Sequence, residues 1–268
     1  MTRRIRLDAE LVRRGLARSR EQAAELVAAG RVRVGGRPAT KVATQVDAAT
    51  SVRVDGAHPA LDYVSRGGHK LAGALDAFQP RGLVVAGRRC LDAGASTGGF
   101  TDVLLRRGAA HVVAVDVGYG QLAWSLRGDD RVTLLERTNV RTLRPEQVGD
   151  RVELVVGDLS FISLRLVLPA LVACARAGAD LLLLVKPQFE VGKDRLGAGG
   201  VVRDPGLRAE AVTAVAAAAG PLGLGVAGVV ASPLPGPAGN VEYFLWLRAG
   251  APPLDAGELD RAVASGPS

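Results

Sequence analysis

Leu91-Asp-Ala-Gly-Ala-Ser-Thr-Gly-Gly-Phe100 is the stretch on which the fold turns. An apolar run, residues 90–92, leads into it, and a helical pattern, residues 101–107, leads out. Gly94, Gly98 and Gly99 let the backbone turn tightly and approach a ligand closely. Strand, glycine turn and helix in that order open a βαβ unit, and the downstream sequence continues the theme. Apolar strand candidates recur at residues 112–116, 132–135, 154–157 and 181–185, with helical stretches at 121–127 and 166–176. This alternation predicts an α/β fold, a Rossmann-like, mostly parallel sheet with helices on both faces. The end of the chain differs. Strands at 225–230 and 241–247 are joined by a Pro/Gly loop with no helix, so they must pair as a hairpin and add an antiparallel strand at one edge.

Upstream, the pattern is that of a smaller α+β unit over residues 1–60. Leu7, Leu11 and Val12 stand at helical spacing and stop near Gly15. Ser19 is placed to cap a second helix, residues 20–29, which Gly30 closes. Alternating strands follow at 31–36 and 50–56. Residues 61–64 read as a linker, 65–250 as the larger domain and 251–268 as a C-terminal tail.

Charge separates the two parts. Residues 1–60 carry 12 Arg/Lys against 6 Asp/Glu, whereas the remainder carries 22 against 21. Nearly all the excess positive charge sits on the small unit, which suggests a polyanion partner. Two cysteines, Cys90 and Cys174, are too few for a disulfide framework, and the polar start 1–6 is no secretory signal; a reducing, cytoplasmic setting is expected. His58, His69 and His111 fall in no metal-ligand spacing, so no metal is expected. Between Glu210 and Glu242 the chain has no charge, but it is Ala- and Gly-rich and broken by Pro221, Pro233, Pro235 and Pro237. That reads as helix, turn, strand and loop rather than as a membrane span.

Three chemistries compete for the glycine loop. A dinucleotide site wants G-x-G-x-x-G, and Ser96 stands where its second glycine would be. A hydrolase elbow wants G-x-S-x-G, which Gly94-Ala-Ser-Thr-Gly98 satisfies. Its histidine partner, however, could only be His111, at the mouth of the next strand. A sulfonium cofactor suits acidic strand ends, and Asp92 and Asp116 both occupy them, the second where a carboxylate can bind ribose hydroxyls. Charge logic favours this reading, since a pyrophosphate would not want acids.

Lysine usage adds an independent signal. Of 34 basic residues only Lys41, Lys70, Lys186 and Lys193 are lysine. A crowded lysine can give up a proton, which an arginine in a protein does not. Lys186 ends one strand, Asp158 ends another, and Glu242 starts the reversed strand, so all three point to one sheet edge. Lys70 lies on a helix, 69–78, just ahead of the domain.

The order Lys70, Asp158, Lys186, Glu242 resembles the catalytic tetrad of FtsJ-like ribose 2′-O-methyltransferases. The likeness extends over Ser65-Arg-Gly-Gly-His-Lys70, Asp158-Leu-Ser-Phe161, Lys186-Pro-Gln-Phe-Glu190, Gly199-Gly-Val-Val-Arg-Asp-Pro205 and residues 232–247. Arg6-Leu-Asp-Ala-Glu-Leu-Val and Ser19-Arg-Glu-Gln-Ala-Ala resemble an S4 RNA-binding domain. Together they resemble the TlyA (hemolysin A) family of rRNA methyltransferases, over residues 3 to 248. At the linker, Ala60-Leu-Asp-Tyr63 stands where some family members carry Arg-x-Trp.

The resemblance implies 2′-O-methylation of cytidine in 16S and/or 23S rRNA, with S-adenosylmethionine as cofactor and 30S and/or 50S subunits as partners. It implies catalysis by Lys70, Asp158, Lys186 (the candidate base) and Glu242. Cofactor contacts would come from Asp92, Gly94, Ser96, Thr97, Gly98, Asp116 and Asp158. RNA contacts would come from Arg4, Arg6, Arg18, Arg20 and Lys41 on the small unit and from Arg66 and Arg137 near the active site. A monomer is expected. Phe161 is expected to pack in the core rather than to stack on a base. Rival functions are an RNA-binding assembly factor with an inert methyltransferase fold and a membrane-lytic hemolysin.

Overall fold

From residue 63 onward, apolar strands and glycine turns build one seven-stranded sheet in the computed structural model, which describes residues 4–14, 16–17, 20–47, 50–55 and 63–267. The chain divides between Asp62 and Tyr63 into two units.

The strands of the larger unit are β1 (Arg89–Ala93), β2 (His111–Val115), β3 (Val132–Leu135), β4 (Val152–Gly157), β5 (Ala175–Val185), β6 (Leu224–Ala231) and β7 (Tyr243–Ala249). They stand in the order β6-β7-β5-β4-β1-β2-β3. Parallel ladders join β5, β4, β1, β2 and β3. β7 runs antiparallel to both β5 and β6. The hairpin is therefore present, but the reversed strand is second from the edge and β6 takes the edge itself. Burial explains the exchange: Tyr243, Phe244, Leu245, Trp246 and Leu247 are all buried, and a strand apolar on both faces belongs inside a sheet.

Helices α1 (Gly67–Phe78), α2 (Gly99–Arg106), α3 (Leu164–Cys174), α4 (Pro205–Ala219) and α5 (Ala256–Ala264) cover the two faces. Alternation along the strands assigns the layers. Leu181 and Leu183 pack with Val167, Leu171, Val212 and Leu259, while Leu182 and Leu184 pack with Leu71, Phe78, Val103 and Leu104. The residues expected as a tail thus contribute α5 to the core, with Asp255 Oδ1 capping it by accepting from Glu258 N at 2.6 Å.

Two expected helices are shifted. Only Trp124–Arg127 of the stretch 121–127 is helical, because Ala123 N is tied to Thr97 O of the glycine loop. α3 starts at Leu164, where Ser163 caps it, and β5 begins directly after it, well ahead of the apolar run 181–185. The uncharged stretch resolves into the end of α4, β6 and the loop to Glu242. No helix among the described residues is long and apolar enough to cross a membrane.

In the smaller unit, helices Leu7–Arg13 and Arg20–Ala28 pack on short strands. Val32–Val34 pairs with Val52–Val54 and with Arg37–Pro38, and Ile5–Arg6 pairs with Gln45–Val46. Leu7, Leu11, Ala23, Val27, Val32 and Val46 form its core. Gly30, at φ 67°, ends the second helix. Gly15, Arg18, Ser19 and linker residues 60–62 lie outside the described residues.

Candidate active site

The carboxyl ends of β1, β2, β4 and β5 and the start of β7 share one edge of the sheet, and the residues singled out in the sequence follow from that topology. Asp92 is the fourth residue of β1. Asp116, Asp158 and Lys186 each come directly after a strand, and Glu242 directly before one. The ladder sets Val185 opposite Tyr243, which brings Lys186 and Glu242 to the same level. α1 starts here too, since a Cβ on Gly67, its first residue, would lie 4.0 Å from Asp158 Oδ2.

The lysines and acids meet as two ion pairs. Lys70 Nζ lies 2.7 Å from Glu242 Oε2, both side chains buried. Lys186 Nζ lies 2.6 Å from Asp158 Oδ1 and donates to Ser160 Oγ at 2.8 Å. Each ammonium is therefore answered by a carboxylate, which compensates the cost of taking charge out of water. Lys41 is exposed on the smaller unit.

The glycine loop follows the same logic. Gly94, at φ 85°, touches the next loop so closely that a Cβ would come within 2.7 Å of Asp158 O. Gly98, at φ 98°, opens α2 in a conformation that strains any side chain. Asp116 fixes the loop from the neighbouring strand: Oδ2 accepts from Ser96 N and Oδ1 from Gly118 N, both at 2.7 Å. Ser96, at φ 48°, and Thr97 are exposed at its tip. Asp92 is wholly buried; Oδ2 accepts from Thr101 Oγ1 at 2.7 Å and Oδ1 has no partner.

Burial pushes the Asp92 carboxyl up to about 7; the Thr101 bond opposes this, and the negative charges of Asp158 and Asp116 add to it. A site with crowded acids and an unsatisfied buried carboxylate oxygen fits a cationic ligand and disfavours a pyrophosphate. The donor set thus suits a sulfonium cofactor.

Three residues near the site carried no separate signal in the sequence. Ser160 holds Lys186, and Thr101 holds Asp92. Glu190 is buried on the turn Pro187–Glu190, where it accepts from Ser163 Oγ at 2.5 Å and Leu164 N at 2.7 Å. Burial raises its carboxyl while these donors oppose the shift. The turn after Lys186 is thereby tied to the loop that carries Asp158. Only their nearness to motif residues could have marked them.

One expectation, that for Phe161, needs correction. Phe161 is not in the core: it is 91% exposed at φ 64°, with its ring 5.3 Å from that of Phe189. Arg6 and Arg20, expected to face phosphate, both bond Asp8, at 3.0 and 2.9 Å. Asp8 is held well below the usual carboxylate range, first by the Arg6 bond. Arg4 is exposed. Arg66 donates to Pro235 O at 3.0 Å, and Arg137 lies over the Tyr119 ring at 4.4 Å.

Known proteins are similar to this chain along its length. The FtsJ-like methyltransferase family matches residues 63–249, and the S4 domain family matches residues 5–55. The 16S/23S rRNA (cytidine-2′-O)-methyltransferase TlyA of Mycobacterium tuberculosis is 64% identical over 265 residues, covering 99% of this chain and 94% of that protein. Hemolysin A of Brachyspira hyodysenteriae is 35% identical over 90% of this chain and 98% of its own. A solved structure from Streptococcus thermophilus superposes with a TM-score of 0.77 at 39% identity, covering 98% of this chain and 96% of that one. With the S4 unit ahead of the tetrad-bearing sheet, the chain belongs to the FtsJ-like methyltransferases and, within them, to the TlyA family.

Proposed function

We propose that the protein methylates the 2′-oxygen of cytidine ribose in ribosomal RNA of 30S and/or 50S subunits, with S-adenosylmethionine as donor, acting as a monomer in the cytoplasm. The observation that carries this reading is the pair of lysine–carboxylate contacts, Lys70–Glu242 and Lys186–Asp158, on the same sheet edge as the Asp92 loop. The substrate for which the Mycobacterium tuberculosis relative is named, cytidine in 16S and 23S rRNA, supports the choice of target.

Asp92, Gly94, Ser96, Thr97, Gly98, Asp116 and Asp158 would hold the cofactor, which supplies an electrophilic methyl group when bound. The difficulty left to the protein is the ribose hydroxyl, a very weak acid. Lys186 first releases one proton to solvent and, as the neutral amine, takes the hydroxyl proton, and the Asp158 carboxylate stabilises the ammonium that re-forms. Lys70 and Glu242 hold their end of the site by a buried charge pair. Phe161, exposed beside this edge, offers a face on which a base taken out of the RNA stack can rest. Arg4, Arg6, Arg18, Arg20, Lys41, Arg66 and Arg137 supply phosphate contacts.

The test is transfer of tritium from labelled S-adenosylmethionine to purified 30S and 50S subunits, followed by primer-extension mapping of ribose methylation. Label on a cytidine 2′-oxygen is expected. Label on a base, or none on either subunit, would reject the reading.

A further inference from the structure

The amine of Lys186 has two partners, and the four-residue tetrad accounts for only one. Asp158 Oδ1 lies 2.6 Å from it and Ser160 Oγ lies 2.8 Å from it. The Lys186 side chain is 8% exposed, while Ser160 stands at the surface. Ser160 is also well fixed. Its loop is bound at one end by Asp158 N donating to Ala93 O at 3.1 Å, and at the other by Ser163 and Leu164 bonding Glu190. Since Glu190 sits on the turn that follows Lys186, the serine and the lysine are held in one frame.

A neutral amine has two N–H donors and one lone pair, and an ammonium has three donors. An amine with one acceptor still rotates about its Cε–Nζ bond. Two acceptors in different directions fix that rotation and so fix where the third direction points. We propose that Ser160 is a positioning residue for Lys186: its hydroxyl takes one N–H group while the Asp158 carboxylate holds the amine by charge at 2.6 Å, and together they leave the lone pair directed at the substrate hydroxyl. The proton then moves from the ribose oxygen to Nζ, and the electron pair stays on that oxygen for the incoming methyl. The new ammonium keeps its hydrogen bond to Ser160 and its charge contact with Asp158 and needs no reorientation. This rests on Lys186 being the base of the proposed function. Removing the serine hydroxyl leaves the amine with its charge contact to Asp158 alone, which does not fix its rotation, so a smaller fraction of encounters is productive, while every group that binds RNA or cofactor stays in place.

Full-length Ser160→Ala and Ser160→Thr decide the matter. In Ser160→Ala, kcat is expected to fall by about 10- to 100-fold with both KM values unchanged, and Ser160→Thr is expected to recover most of it, the range belonging to a misplaced general base. A wild-type kcat in Ser160→Ala, or equal losses in both variants with a raised KM, would overturn the proposal. A second measurement is independent of turnover. The chain has four lysines, so the 13Cε signals of labelled lysine are few, and Lys186→Ala identifies the relevant one. That signal is expected to move in Ser160→Ala and to return in Ser160→Thr. A signal unmoved by Ser160→Ala overturns the proposal even if the wild type transfers no methyl group, an outcome that by itself counts against the proposed function only.

Discussion

Lys70 and Glu242, 172 positions apart in the chain, meet in a 2.7 Å contact with both side chains buried. The fold makes this possible by starting both α1 and β7 at the same sheet edge. Removing one partner of a buried pair leaves the other charged and unsolvated, which costs about 3–5 kcal/mol, whereas replacing both by apolar groups is often neutral. Glu242→Ala should therefore lower the urea midpoint strongly, and Lys70→Met with Glu242→Leu should recover most of the loss. A single variant as stable as wild type would show that the pair contributes nothing to folding.

Lys186→Ala should cut methyl transfer at least 100-fold, by about the contribution of a general base, and leave calorimetric cofactor affinity nearly intact. The reason is positional: the polar partners of Lys186 among the described residues are Asp158 and Ser160, and of the residues assigned to the cofactor only Asp158 is among them. Retained turnover above about 1% would reject the base assignment.

Asp92 gives a prediction in pH. Its folded-state value, about 7, lies above the ordinary 3.8, so the neutral form is favoured by burial. A cationic cofactor needs the charged form. Affinity should therefore rise as pH increases from 6 to about 7, by up to tenfold per unit, and level off above it. For stability the sign is opposite. The neutral acid's advantage is complete below about pH 4 and is lost as pH rises through 7, so Asp92→Asn should stabilise the cofactor-free protein at pH 8 and not at pH 4. Calorimetric titrations and melting curves across that range check both; a flat affinity profile would remove Asp92 from cofactor binding.

Much of this site is legible in the sequence because strand ends are. Once the apolar runs are assigned, Asp92, Asp116, Asp158, Lys186 and Glu242 fall on one edge by topology alone. The position of β7 inside the sheet is not legible, since a hairpin states which strands pair but not which of them faces the rest. Phe161 escapes because a single aromatic in a loop has no period, and its φ of 64° turns it out of the core. The arginines on Asp8 escape for a similar reason: Arg20 is 12 residues away in sequence, and only the packing of two helices brings them together. α5 could have been found, since Asp255 followed three residues later by Glu258 is a helix-start pattern.

The final prediction concerns salt. Arg6 and Arg20 share Asp8, so the exposed, basic Arg4 and Lys41 are the better probes of phosphate binding on the smaller unit. Each phosphate neutralised by a basic group releases condensed counterions, which makes affinity fall linearly on a log–log salt plot. Lys41→Glu should weaken RNA binding and make the slope shallower by roughly one unit, because one phosphate fewer is neutralised. Asp8→Asn should act in the other direction. It frees two guanidinium groups from their carboxylate, so binding at low salt should tighten and the slope should steepen. Glu242→Ala should leave the slope alone, because a buried carboxylate neutralises no phosphate. Fluorescence titrations of the three variants at several monovalent salt concentrations make the comparison. Unchanged slopes for both Lys41→Glu and Asp8→Asn would place the RNA-binding face elsewhere and leave the positive charge of the smaller unit as a solvated surface.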